Sequence, residues 1–227
     1  MIFDTVDQIY CIVFKPYKEE RYNDLCKEID RLNLKVKIME FDKDNDLSGL
    51  ESTTKNYCRV FEDALYHRYN KIMVIEDDCR FLKNVSILQE FNTIPVDADV
   101  IYCDYHCGYW DNPSQSKELM NRIASSDDLY YKLYPSDVVY LTTCNIYSRR
   151  AMLHMLLNYE YMHMNIDHYF LNHNIFIDKD CFNILNRYVT CVNLCIQKEY
   201  SHAASKHHTT YYDQYKLQGV DLNDYQL

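Results

Sequence analysis

Three acidic residues in a row, Glu76-Asp77-Asp78, follow directly on an apolar run, Ile72-Met73-Val74-Ile75. A short run rich in β-branched residues between charged neighbours predicts a buried strand of a parallel sheet. The carboxylates then fall at its carboxyl end, where open α/β sheets place their ligands. Adjacent carboxylates repel, and each raises its neighbour's pKa unless a cation holds them. A hard divalent metal is the natural partner, since such ions take few protein carboxylates and share the rest of their shell with phosphate oxygens and water. The plain alternative is a solvated acidic turn after a strand.

The elements that must position this turn can be taken in order. Gln8 to Phe14 reads as a first strand closed by Lys15-Pro16, and Tyr22, Leu25, Cys26, Ile29 and Leu32 give residues 17–33 a helical spacing. Leu34, Val36 and Ile38 alternate with Lys35 and Lys37, which predicts a second strand and a right-handed crossover unit. Asp42 to Ser52 reads as a loop, after which Ser52, Thr53 or Thr54 caps a helix carrying Tyr57, Phe61, Ala64 and Leu65. Three strands alternating with two helices open a doubly wound nucleotide-binding fold.

Beyond Phe81 the pattern predicts a short helix over 85–91 and a fourth strand from Asp99 to Tyr105. His106 to Ser136, which holds the one tryptophan, Trp110, is polar and irregular enough to read as a loop over the site. Val138 to Leu141 and Asn145 to Tyr147 read as short strands, and Ser148 caps a helix bearing Ala151, Met152, Met155 and Leu156. A further helix opens near Ile166-Asp167-His168, where the helix dipole favours an anion. Tyr188 to Ile196 is a last apolar run leading to Gln197 and Ser201-His202. From Ala203 periodicity is lost, so the expected organisation is one domain over 1–205 and a tail over 206–227.

Composition excludes several classes. The 3 glycines leave no Walker or dinucleotide fingerprint. A formal net charge of −10 argues against nucleic acid or an anionic membrane as main partner, while a small anion held through a metal stays compatible. Ten cysteines would suit disulfides in a secreted chain, but Met1-Ile2-Phe3-Asp4 opens no basic segment with a long apolar core behind it. Reduced thiols, a cytoplasmic location and no transmembrane segment are therefore expected. Cys103 with Cys107, and Cys191 with Cys195, have a spacing that zinc permits, yet neither pair is followed by a clear second pair.

Over residues 8–205 the chain resembles glycosyltransferase family 25, which includes bacterial lipooligosaccharide and collagen galactosyltransferases with relatives in large viruses. The likeness is carried by the acidic strand end followed by Phe81, by Asn145-Ile146-Tyr147-Ser148-Arg149-Arg150-Ala151, and by Ile166-Asp167-His168 with Gln197 and Ser201 downstream. Two family features differ: Cys58 stands in the helix before the acidic strand without a Ser-His pair, and the Arg after strand one is matched loosely by Arg21. The resemblance implies a single GT-A (Rossmann-like) α/β domain with a mostly parallel central sheet. It implies inverting transfer of a sugar, galactose or glucose, from a UDP-sugar donor to a hydroxyl of a glycan or glycoprotein, with Mn2+ or Mg2+ stabilising the leaving diphosphate.

On that resemblance Asp78 is the direct metal ligand. Glu76, on the same face if the segment stays extended, binds the metal through water or holds the ribose. Asp77 would point to the other face. His202 is the candidate for a further ligand, against a reading in which it belongs with His207 and His208 to a solvent-facing tail. Asp167 is the candidate base, or an Asp that simply suits the first turn of a helix; Asp104 and Asp111 are the alternatives. The donor's base and ribose would lie over Phe14, Lys15 and Tyr17, with Thr54 and Asn56 nearby, and Trp110 and Tyr109 would stack on an acceptor sugar.

Two rival classes bear on the same residues. A haloacid dehalogenase-type phosphotransferase needs Asp-x-Asp-x-Thr, and Glu76-Asp77-Asp78-Cys79-Arg80 departs from it at the first and fifth places. A non-catalytic nucleotide or glycan binding module on the same fold is the other, and clustered like charge counts against an idle site.

Overall fold

The computed structural model describes residues 1–42, 49–107, 113–158, 185–199 and 211–225. After a 3-10 turn at Ile2–Thr5 come β1 (Gln8–Phe14), a 3-10 turn at Lys15–Tyr17, α1 (Lys18–Leu32), β2 (Val36–Phe41), α2 (Gly49–Tyr66), β3 (Lys71–Glu76) and β4 (Cys79–Phe81). Next are α3 (Val85–Glu90), β5 (Val100–Tyr102), α4 (Pro113–Ala124), β6 (Tyr130–Lys132), β7 (Cys144–Ser148) and α5 (Arg149–Asn158). The described chain closes with β8 (Arg187–Thr190), β9 (Cys195–Gln197), α6 (Tyr211–Leu217) and a 3-10 turn at Leu222–Asp224.

Seven strands form one sheet in the order β2-β1-β3-β7-β5-β8-β6, and β4 pairs with β9 in a separate two-stranded ribbon. β1 runs parallel to β2 and β3, and β5 parallel to β8, while β7 and β6 run against their neighbours. Five of the seven strands therefore share one direction, the α/β architecture with a mostly parallel sheet that the sequence predicts.

The two-residue period of the strands sends alternate side chains to opposite faces. Tyr10, Ile12, Ile72 and Val74 face one apolar layer, which Tyr57, Phe61 and Ala64 of α2, Leu119 and Ile123 of α4, and Met152 and Met155 of α5 complete. Ile9, Cys11, Met73 and Ile75 face the other, with Leu25 of α1, Leu88 of α3 and Tyr215 of α6. Burial on both faces is why β1 and β3 read as unbroken apolar runs. The edge strands β2 and β6 are only partly buried over most of their length, and their lysines suit an edge.

Several local expectations are corrected. α2 starts at Gly49, so Ser52, Thr53 and Thr54 lie within the helix and do not cap it. The stretch read as a loop from His106 contains α4 and β6; Pro113 opens α4, and Ser116, Leu119 and Ile123 form a sparse buried stripe at helical spacing. β4 precedes the strand expected as fourth, and the last apolar run divides into β8 and β9. Val138 to Leu141 makes one bridge, between Tyr140 and His106, and no strand. In the segment read as a tail, residues 211–225 pack against the body, with Tyr215 and Tyr225 buried. Two readings hold: the Ser148 hydroxyl accepts the Ala151 N–H at the start of α5, and α1 ends at Leu32, followed by Asn33, whose φ of 51° is the left-handed turn such a terminus needs. Among the described residues no helix is long and apolar enough to cross a membrane.

Candidate active site

Because β1, β3 and β5 point the same way and β7 opposes them, one edge of the sheet gathers the end of β1, the acidic turn after β3, Asp104 after β5, and Thr142 and Thr143 before β7. β3 ends at Glu76 and the chain turns at once through Asp77 and Asp78. The expected extended segment, with Glu76 and Asp78 on one face and Asp77 on the other, is thus replaced by a turn. Asp77 and Asp78 converge on one cation: Arg21 Nη1 of α1 donates to Asp77 Oδ1 at 2.8 Å and to Asp78 Oδ2 at 3.1 Å.

Each carboxylate has its own surroundings. Asp77 Oδ2 accepts the Phe14 N–H at 2.9 Å, which ties the turn to the end of β1. Asp78 Oδ2 also accepts from Gln197 Nε2 at 3.0 Å, and the Lys198 N–H donates to the Asp78 carbonyl at 2.8 Å. The other oxygen, Asp78 Oδ1, is buried with no hydrogen-bond partner among the described residues. Glu76 Oε1 accepts the Thr142 hydroxyl at 2.7 Å and lies 3.0 Å from the Tyr57 hydroxyl, which also meets the Thr142 carbonyl at 2.8 Å.

Burial, with repulsion from Asp78 second, pushes the Glu76 carboxyl up to about 8. Burial likewise raises Asp78 to about 6, although Arg21 and the Gln197 donor pull it down. Asp104, fully buried, is pushed well above the carboxylate range by burial despite a donor from Tyr215. Tyr215 of α6 donates to Asp104 at 2.8 Å and accepts the Gln197 N–H at 2.9 Å, so α6 is joined through Gln197 to Asp78.

A hard cation fits this donor set in one respect that the structure itself supplies. Asp78 Oδ1 has no partner among the described residues, and the Asp78 carboxylate repels Glu76, whose ionisation is also held back by burial. A cation there would remove both costs.

The other expected site residues are distributed as follows. Phe14 reaches the acidic turn through its backbone N–H, while Lys15 turns aside to pair with Asp42 at 2.7 Å. Tyr17 ends the 3-10 turn after β1, and Thr54 and Asn56 are buried in α2. Asp167, His202, Tyr109, Trp110 and Asp111 lie outside the described residues. Sequence reasoning missed Tyr57, Thr142 and Tyr215, and it gave Arg21 only a loose family match. Tyr57 carried a signal as a helix residue, but nothing local marked its hydroxyl as a partner of Glu76. A cavity of about 310 Å³ lies elsewhere, between α3, α4 and the C-terminal segment, and none of the clustered carboxylates lines it.

The geometry defines a single α/β unit with a carboxylate cluster at the carboxyl ends of its strands. No protein-family model matches the chain, and no curated protein does. Among solved structures it is similar to a crystal structure of a glycosyltransferase involved in the glycosylation of the major capsid of PBCV-1. The two chains are 7% identical with a TM-score of 0.49, over 93% of this chain and 98% of that one.

Proposed function

We propose that this chain is a metal-dependent glycosyltransferase, related to family 25 and working in the cytoplasm. It would transfer galactose or glucose from a UDP-sugar to a hydroxyl of a glycan or glycoprotein, with inversion. The observation that carries the reading is the carboxylate cluster at the end of β3, with buried Asp78 Oδ1 lacking a donor among the described residues. Bound Mn2+ or Mg2+ would supply Lewis-acid stabilisation of the charge that grows on the leaving diphosphate.

The chain's own residues then have separable tasks. Asp78 holds the metal, with Glu76 next to it. Asp77 spends both oxygens on Phe14 and Arg21, so its task is to fix the turn against β1. Arg21 neutralises the turn when no metal is bound. Asp167 as base and His202 as a further ligand rest on the family resemblance.

The test is a thermal-shift titration with UDP, GDP and their sugars, each with and without Mn2+. Stabilisation by a uridine nucleotide only with metal, lost in Asp78→Asn, supports the reading. No shift with any nucleotide in a folded protein would sink it. One observation favours the second reading, a binding module: Asp77 and Asp78 Oδ2 are already satisfied by protein donors. Hydrolysis of a UDP-sugar without acceptor separates an enzyme from a binder.

A further inference from the structure

Five of the ten cysteines, Cys11, Cys79, Cys103, Cys144 and Cys195, share one apolar layer and are each at most 1% exposed. A buried thiol packs as a small apolar group, and for Cys11 that account suffices. Three of the others converge. The Sγ atoms of Cys79, Cys144 and Cys195 all lie within 4.8 Å of one another. They arrive on β4, β7 and β9, from both the main sheet and the two-stranded ribbon. Cys103, just past β5, donates its backbone N–H to the Cys144 carbonyl at 3.0 Å, and its thiol helps to raise the Cys144 thiol while standing outside the group of three.

Four sulfurs arranged about a tetrahedral centre at a Zn–S distance of ~2.3 Å stand about 3.8 Å apart. Each pair among Cys79, Cys144 and Cys195 therefore has at most about 1 Å to close. We propose that these three cysteines form a structural site for a thiophilic cation, Zn2+, which draws in the thiol of neighbouring Cys103 as a fourth ligand. Each thiol releases its proton to solvent as its sulfur–metal bond forms, and no oxidation state changes.

The site has a structural task. β4 and β9 have three residues each and pair only with each other among the described strands, a ribbon too short to be stable alone. A metal held by Cys79 and Cys195 on one side and Cys144 on the other fastens that ribbon to the main sheet. Arg80, 1% exposed and donating to the Cys79 carbonyl, is a cation at hand to offset the charge of the thiolates. Sulfur donors also keep this site apart from the oxygen-lined acidic turn next to it, since soft and hard cations divide between such sets. The spacings that suggest zinc in the sequence are not the ones used: of the four cysteines in those two pairs, only Cys195 belongs to the group of three.

Because the cluster is sealed, the full chain is unfolded in chelator and refolded with Zn2+, with Co2+, or with neither. The expected result is one metal ion per chain by native mass spectrometry, a higher melting temperature in the zinc form, and a thiolate-to-cobalt charge-transfer band in the cobalt form. Cys144→Ala should weaken that band, while Cys26→Ala and Asp78→Asn leave it intact. If Cys144→Ala fails to fold, the cobalt spectrum and metal count of the unaltered chain decide alone. Folded protein without stoichiometric metal, a band that survives Cys144→Ala unchanged, or a mass two hydrogens lower from a disulfide would each overturn the proposal.

Discussion

Asp78→Asn is the substitution on which stability and the proposed function should move in opposite directions. The folded chain raises the Asp78 carboxyl from 3.8 to about 6, chiefly by burying it. A carboxyl that holds its proton more tightly when folded contributes stability at low pH. That contribution is lost as pH rises between the unfolded and the folded value, and the loss is complete above about 6. The interval is worth about 3 kcal/mol as an order of magnitude. Asparagine cannot ionise and avoids the loss, and removing the Asp78 charge also relieves Glu76. Against this, the amide nitrogen would occupy the unpartnered Oδ1 position, a cost of about 1–3 kcal/mol. In chelator at about pH 7.5 the variant should therefore match the parent or exceed it by up to about 2 kcal/mol. The difference should shrink as pH falls from about 6 to about 4.5. Urea titrations across that range read the difference directly, and Mn2+ with UDP should stabilise the parent alone. A difference that does not vary with pH, or a variant that still responds to Mn2+ and UDP, would refute the reasoning.

Arg21→Met removes the guanidinium that Asp77 and Asp78 share, and in chelator it should cost about 3–5 kcal/mol, partly restored by Mn2+; an unchanged urea midpoint would count against the ion pairs. Tyr215→Phe takes a donor from buried Asp104 and an acceptor from the Gln197 N–H, so a loss of about 1–3 kcal/mol is expected, together with weaker Mn2+ binding through Gln197. Equal Mn2+ affinity in parent and variant would break that link. Metal must displace the protons that Glu76 and Asp78 hold to about 8 and about 6, so Mn2+ affinity should rise across that window with release of protons. Calorimetry in two buffers of different ionisation enthalpy counts the protons, and pH-independent affinity would contradict the burial argument.

What could be read from the sequence follows from how far apart the cooperating residues are. β1 and β3 announce themselves because their burial is nearly complete, so the apolar pattern is dense, and α1 because apolar residues such as Leu25 and Leu32 recur at helical spacing. α4 escapes because its buried stripe includes Ser116 and is otherwise surrounded by polar residues. β4 escapes because its middle residue is Arg80, a charge that ordinarily marks solvent yet is buried here, within 3.5 Å of Asp24. The acidic turn was legible as a run of like charge, but its partners were not. Arg21 meets Asp77 across 56 residues, and Tyr215 meets Asp104 across 111. No periodicity within one segment encodes contacts of that range, and turn geometry alone decided that Asp77 joins Asp78 rather than opposing it.

The acidic turn is difficult to explain as a device for stability. Asp77 is well provided for, with the Phe14 N–H on one oxygen at 2.9 Å and Arg21 Nη1 on the other at 2.8 Å. Asp78 and Glu76 are not, since burial raises both carboxyls, to about 6 and about 8. A core selected only for stability would replace them with apolar or neutral residues of similar volume. Their position is also where the end of β3, Thr142 ahead of β7 and the Gln197 segment meet. α6 adds its own constraint, because Tyr215 reaches the same point through Gln197. Costly carboxylates placed where several elements converge, with one oxygen lacking a donor among the described residues, are the arrangement expected of a site that completes itself with a cation.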